Sequence, residues 1–262
     1  GSAWTEVADL SAGTYSHKGA GASKTTALVF GGLNPSETTT TEEWTAPATF
    51  RKLNIGDIYY NADPSSGVLK YVGYGTGAWA SGPTMNDARY AHYGFGIQTA
   101  AMAAGGAPIN AESETYNGTA WTETNDINDS RANEGGAGSG TTTAGLIYGG
   151  NNPGFTANSE EFDGTSWSEE GDLNTARRNL GGAGTQTATF AMCGKSPPST
   201  VEDAVESYNG TTWTETTEVN TARECIHVIG QTSAALLGVG GFTNSALTEE
   251  WDGSSWTEKG DL

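Results

Sequence analysis

Six-residue motifs ending in tryptophan recur along this chain. YNGTAW ends at Trp121, FDGTSW at Trp167, YNGTTW at Trp213 and WDGSSW at Trp256. These tryptophans are spaced 46, 46 and 43 residues apart; Trp79 precedes Trp121 by 42, and Trp4 precedes Trp79 by 75. A period in the forties, with a Gly-Gly pair and a late Trp in each unit, predicts one four-stranded blade per repeat and hence an all-β propeller. Residues that recur in every unit are then scaffold. Specific function should sit where the units differ.

The unit 174–219 shows the plan. NTAR opens it, a glycine-rich first strand follows, and ATFAMCG (188–194) reads as the second strand. AVESY (204–208) is the third, and TTWTETTEV the fourth. Between the last two lies Asn209-Gly210, matched by Asn117-Gly118, Asp163-Gly164 and Asp252-Gly253. Such pairs predict a two-residue hairpin turn with positive φ at both central residues. KGAGASK (18–24), GGAGSGT (135–141) and GGAGTQT (181–187) share one phase. Small residues there let inner strands crowd around an axis, and few blades make the crowding worse. No helix pattern or GK[ST] follows them, which argues against a phosphate-cradling loop.

Two charged residues repeat with the scaffold. NDAR (86–89), NDSR (128–131), NTAR (174–177) and NTAR (220–223) place Arg89, Arg131, Arg177 and Arg223 in one slot, while SAGT (11–14) lacks the Arg. Glu42, Glu114, Glu160, Glu206 and Glu249 each stand two residues before a third-strand aromatic, so the two side chains share a face. Repetition around a ring argues for structural hydrogen bonds between strands or blades and against one acid–base pair. Five first strands, five third strands and six fourth-strand tryptophans give five blades plus one surplus strand. Residues 1–10, GSAWTEVADL, and 253–262, GSSWTEKGDL, are copies of that strand. One of the two closes the ring and the other is left over. The chain reads as a single domain over 1–262, with Trp79, Trp121, Trp167, Trp213 and Trp256 anchoring blades.

The net charge of −19 opposes phosphate backbones and anionic lipid heads, so neither nucleic acid nor membrane is an expected partner. No apolar run approaches a membrane span, and GSAWTEV carries no signal-peptide pattern. Cys193 and Cys225 fall at different phases and read as free, half-buried thiols. His17, His92 and His227 all fall in first strands of units that are neighbours in a closed five-blade ring, but His227 is out of register, so no metal site is expected. No cofactor motif and no G-x-S-x-G nucleophile occurs, and FDGTSW fails the sialidase Asp-box by spacing. The chain is therefore read as non-enzymatic.

The largest departure from the repeat is an insertion in the first unit, residues 46–77. GDIYYN and VLKYVG are strands joined by ADPSSG, whose Pro64 and Gly67 suit a turn. The insertion carries Arg51, Lys52 and Lys70 in a chain with 12 basic residues, and Tyr59, Tyr60, Tyr71 and Tyr74, four of its ten tyrosines. Aromatic residues beside positive charge are suited to contact a partner, so these seven are the candidate binding residues. The loops LNPSETT, APINAE, NNPGFTANS, KSPPSTVEDA and FTNSAL, between second and third strands, vary and form a second candidate surface.

An Arg before the first strand, Gly-Gly after the second (Gly31-Gly32, Gly105-Gly106, Gly149-Gly150, Gly240-Gly241), a third-strand aromatic and a fourth-strand Trp resemble the kelch repeat. The fourth unit departs, with Cys193-Gly194. The resemblance covers the chain outside 46–77 and implies a propeller; the family spans enzymes and interaction modules, so it implies no single activity. The insertion and the near-identical units resemble repeat arrays in virion and tail proteins of marine tailed bacteriophages of the cyanophage type. That implies a virion or extracellular location and contact with a protein or a cell-surface glycan. A lectin-like propeller, with one sugar site per blade, is the alternative, and a kelch-type enzyme a third.

Overall fold

A computed structural model describes residues 9–11, 13, 16–23, 26–45, 58–61, 68–71, 78–137, 142–232, 235–242 and 246–262. Five antiparallel four-stranded sheets form a five-bladed propeller. The first blade contains β1 (Lys18–Ser23), β2 (Thr26–Phe30) and β3 (Thr41–Thr45); β4 (Ile58–Asn61) and β5 (Val68–Tyr71) form a separate hairpin before β6 (Ala78–Ser81) completes the blade. The second holds β7 (Tyr93–Ile97), β8 (Ala100–Ala104), β9 (Ser113–Tyr116) and β10 (Trp121–Thr124). The third runs from β11 (Gly135–Ala137) and β12 (Gly145–Tyr148), past a ribbon of β13 (Asn151–Asn152) and β14 (Gly154–Phe155), to β15 (Ser159–Phe162) and β16 (Trp167–Glu170). The fourth repeats this plan with β17 (Gly181–Thr185), β18 (Ala188–Met192), the ribbon β19 (Lys195–Ser196) and β20 (Thr200–Val201), β21 (Val205–Tyr208) and β22 (Trp213–Thr216). The fifth holds β23 (His227–Thr232), β24 (Ala235–Val239), β25 (Thr248–Trp251) and β26 (Trp256–Glu258). Among the described residues no helix is long and apolar enough to cross a membrane.

The C-terminal copy, β26, pairs with β25 and fills the fourth place of the last blade. The N-terminal copy, residues 1–8, lies outside the described residues. The last blade is therefore built from strands of its own repeat, β23 to β26.

The core is divided among blade-to-blade interfaces. Leu28 and Phe30 of the first blade meet Ala101, Tyr116 and Trp121 of the second, and the three following interfaces repeat this arrangement. The tryptophan phase explains why. Trp121, Trp167, Trp213 and Trp256 are 6–7% exposed. Each lies opposite its third-strand aromatic, with ring centroids 5.2, 5.1, 5.0 and 5.3 Å apart, a cross-strand pairing that stiffens the sheet. Two of them also reach the preceding blade: the Trp121 ring lies 5.0 Å from Phe30, and that of Trp213 lies 4.7 Å from Tyr148. The Trp121 and Trp213 indoles donate to Thr41 Oγ1 and Ser159 Oγ there, at 3.1 and 3.0 Å. Val205 stands where that hydroxyl would be in the fourth blade, and the Trp256 indole donates instead to the Thr217 carbonyl at 3.1 Å.

The hairpin turns differ from the expected two-residue form. Tyr116 pairs with Trp121, so the loop has four residues, 117–120. Gly118 has positive φ (90°), and so have Gly164, Gly210 and Gly253, whereas the preceding Asn or Asp does not. That residue works through its side chain: Asn117 Oδ1 accepts from the Thr119 and Ala120 amides, both at 2.9 Å. This is an Asx turn, which either Asn or Asp can make. In Asp163 the same bonds, with one from the Thr165 hydroxyl, hold the carboxyl down at about 2.

The inner strands are as crowded as the glycines suggested. A Cβ on Gly182 would lie 1.8 Å from the Tyr148 hydroxyl, and one on Gly136 would lie 2.5 Å from Tyr93 Cδ1; in the adjoining second strand, one on Gly145 would lie 2.1 Å from Phe95 Cζ. At the entrance to these strands a second pattern appears that the sequence did not announce. Ser16, Ala91, Asn133, Asn179 and Cys225, one per blade and two residues after the Arg slot, all have φ between 51° and 60°. Their amides link neighbouring blades: Ala91 to Ser16 O (3.2 Å), Asn133 to Ala91 O (2.8 Å), Asn179 to Asn133 O (2.8 Å) and Cys225 to Asn179 O (2.7 Å). The left-handed backbone aims each amide sideways at the preceding blade. It costs an L-residue roughly 1–2 kcal/mol, least for Asn. Ala91→Gly should therefore stabilise the fold by about 0.5–1 kcal/mol in urea denaturation; a loss of stability would mean that the Ala91 methyl is a packing group.

Candidate functional site

Blade topology fixes two faces. Chain entry, the Gly-Gly pairs, the loops between second and third strands and the left-handed collar share one face. Turns between third and fourth strands lie on the other. The hairpin of β4 and β5 is inserted in the chain between β3 and β6, where the other blades have their turns between third and fourth strands.

The repeating charges are internal to the collar face. Arg89, Arg131 and Arg177 are fully buried, and Arg223 is 2% exposed. Each Arg Nη2 donates to the glutamate of its own blade: Arg89 to Glu114 (2.7 Å), Arg177 to Glu206 (2.8 Å), Arg223 to Glu249 (2.8 Å), and Arg131 to Glu160. Nη1 caps backbone carbonyls at the end of the second strand and before the third, as with Cys193 O (2.9 Å) and Ala204 O (2.8 Å) for Arg177. The Asn of the opening motif clamps the other carboxylate oxygen. Asn174 gives its amide and its carboxamide to Glu206 Oε2 at 2.7 and 2.8 Å. In the first blade Ser11 supplies the amide alone, to Glu42 Oε2 at 2.9 Å. The next link joins blades. Gly32, Gly106, Gly150 and Gly194 donate to the carbonyls of Arg89, Arg131, Arg177 and Arg223 in the following blade, at 2.7–2.9 Å.

The first residue of each Gly-Gly pair is left-handed, with φ of 63° to 66°. Cys193 holds that slot in the fourth blade at φ 60°, fully buried, with burial raising its thiol to about 11. Cys225 is exposed in the collar, so neither cysteine is half-buried, and both are free. The carboxylates and the guanidinium Nη atoms of this network bond one another and the backbone away from solvent, while Nε of Arg89, Arg177 and Arg223 is left without a partner.

The insertion residues are placed in part. β4 and β5 pair antiparallel, with Tyr59 opposite Lys70, Tyr60 opposite Leu69 and Ile58 opposite Tyr71. By this register positions 58, 60, 69 and 71 share one face of the ribbon, and 59, 61, 68 and 70 the other. Arg51, Lys52 and Tyr74 lie outside the described residues. The paired strand backbones Trp44 and Trp79 anchor the base of the insertion within the first blade.

The histidines separate. His92 is fully buried against Phe30, with ring centroids 5.6 Å apart, and neither ring nitrogen has a hydrogen-bond partner. Burial, and then the Arg89 charge, push its pKa well below the usual value, so the ring is neutral. His17 and His227 instead line an axial cavity of about 320 Å³, together with Lys18, Tyr93, Gly181 and Gly182. Among the described residues no three His, Cys, Asp or Glu side chains converge as a metal site would require. Beside the cavity, Glu134 is 2% exposed and accepts from the Tyr93 amide at 2.8 Å; burial raises its carboxyl to about 7. The sequence reading missed Lys18, Tyr93 and Glu134. Counting from the left-handed residue would have aligned them, since His17, His92 and Glu134 hold the next position, and Lys18, Tyr93 and His227 the one after it.

Removing one partner of a buried pair strands the other charge. Arg177→Ala should cost about 3–5 kcal/mol of unfolding free energy, because Glu206 keeps its Asn174 clamp but loses its counter-charge. A loss under about 1 kcal/mol by urea denaturation would show the pair to be expendable.

The chain matches no model of a known protein family, and no curated protein is significantly similar to it.

Proposed function

We propose that this chain is a non-enzymatic binding propeller of kelch-like repeats, a virion or tail-associated protein of a tailed bacteriophage that contacts a host surface or another virion protein. The observation that carries this reading is the place of the hairpin. It stands where the second to fifth blades have four-residue turns, so the scaffold does not require it. It concentrates Tyr59, Tyr60, Tyr71 and Lys70 on a two-stranded ribbon. Aromatic side chains bring large contact area with few rotors to freeze, and a few of them can carry most of an interface. The nearby cations would favour an acidic partner.

A lectin-like propeller would repeat its sugar-binding residues from blade to blade. The repeating Arg, Glu and Trp of the second to fifth blades are buried, so none of them is free to hold a sugar; the polar residues that repeat on the surface are those of the turns and fourth strands, such as Asn117, Thr119 and Glu123. The same burial weighs against an enzyme built on the repeating Arg and Glu.

Replacing residues 46–77 with an Asn-Gly-Thr-Ser turn tests the proposal. The shortened protein should fold, because four other blades use such turns. Labelled full-length protein should adsorb to intact cyanobacterial cells or to cyanophage tail particles, and the shortened form should bind at least about tenfold more weakly. Equal binding by both forms would move the contact to the loops between second and third strands.

A further inference from the structure

The axial cavity gathers basic groups on a chain of net charge −19. His17 and Lys18 come from the first blade and His227 from the fifth, with Tyr93 of the second completing the wall. Most basic side chains described elsewhere are spent: the four repeat arginines are bound to glutamates, Lys195 to Glu224 and Lys259 to Glu250. Lys18 has no carboxylate within ion-pair distance among the described residues. Its ammonium lies 5.7 Å from the centroid of the Tyr93 ring, an aromatic contact that leaves its hydrogen-bond donors open.

Within the cavity itself little offsets that charge, although burial lowers the Lys18 pKa and Glu134 partly restores it. No Asp or Glu lines the cavity. The acid that acts on Lys18, Glu134, is buried behind Tyr93, where burial raises its carboxyl to about 7, so near neutrality it carries only part of a charge. The opposite wall is bare backbone. Side chains at Gly181 and Gly182 are excluded, because a Cβ there would lie 2.7 Å from Ile226 and 1.8 Å from Tyr148. β17 pairs only with β18, so its other edge leaves peptide groups unpaired toward the axis. Gly94 makes room for the Phe30 ring, whose Cζ would lie 2.6 Å from a Cβ there, and for Lys18 Cβ beside it at 3.1 Å.

We propose that this cavity binds a small anion, a phosphate or carboxylate group held by Lys18 with His17 and His227 at its sides. A volume of about 320 Å³ suits an inorganic oxyanion or a single acidic sugar, at the lower end of ordinary ligand pockets. The site is independent of the hairpin contact, so either can fail without the other.

The test is thermal unfolding and amide chemical-shift mapping of the full chain, at constant ionic strength set with sodium chloride. Three probes are used: inorganic phosphate, galacturonate and neutral glucose. Saturable stabilisation by phosphate, by galacturonate or by both, with shifts centred on Gly19, Gly94, Gly181 and Val228, supports the site, and the pattern says which source of the anionic group fits. Lys18→Met should weaken binding at least tenfold, Lys18→Arg should restore much of it, and His227→Gln should weaken it several-fold. His227 is exposed, so its variant serves if Lys18→Met fails to fold. No saturable response to either anion, an equal response to glucose, or unchanged affinity in Lys18→Met and His227→Gln would overturn the proposal.

Discussion

The ring rests on a guanidinium and a carboxylate that water cannot reach. Burying such a pair is not a bargain in itself, since the desolvation of both ions can exceed their attraction. What it secures here is position. Arg177 joins Glu206, Cys193 O and Ala204 O, and through its own carbonyl accepts from Gly150 of the preceding blade, as Arg131 does from Gly106 and Arg223 from Gly194. The same residue therefore staples its own blade and links to the neighbouring one. The price is visible in the orphaned Nε atoms of Arg89, Arg177 and Arg223.

This network sets the rest of the architecture. Because the pins fix where each inner strand starts, those strands enter close to the axis, and glycine becomes obligatory where Tyr148 or Tyr93 crosses a neighbouring backbone. The left-handed collar follows from the same geometry, turning each amide toward the blade before it. Packing then adds weight outward, with each fourth-strand tryptophan closing over its third-strand aromatic. The first blade departs most: Ser11 gives Glu42 one amide where the others give an amide and a carboxamide, and this blade carries the insertion.

Much of this was legible in the sequence. The forty-odd-residue period fixed the blade plan, and the Arg, Glu and Trp phases named the buried scaffold. Two things were hidden for physical reasons. Asn-Gly suggests a two-residue turn, but an Asn or Asp side chain can replace a backbone acceptor and support a four-residue loop instead, as at Asn117. The axial cluster was hidden because His17 and Lys18 stand some two hundred residues from His227 and meet only when the ends of the array come together. The histidines drew attention as a trio, yet His92 turns into the dry interface with Phe30 while the other two turn to the axis.

The scaffold and the candidate contact regions thus draw on different residues: repeated buried ones hold the ring, and the unrepeated hairpin and axial groups remain for partners. Hydrogen exchange of the linking amides tests the central claim most directly. If the pins weld five blades into one cooperative unit, the amides of Gly106, Gly150, Gly194, Asn133, Asn179 and Cys225 should exchange only through global unfolding, with the same free energy as core strand amides such as Met102 and Ile147. Exchange of these amides about a hundredfold faster than the strand amides would show blades parting locally, and would contradict the account.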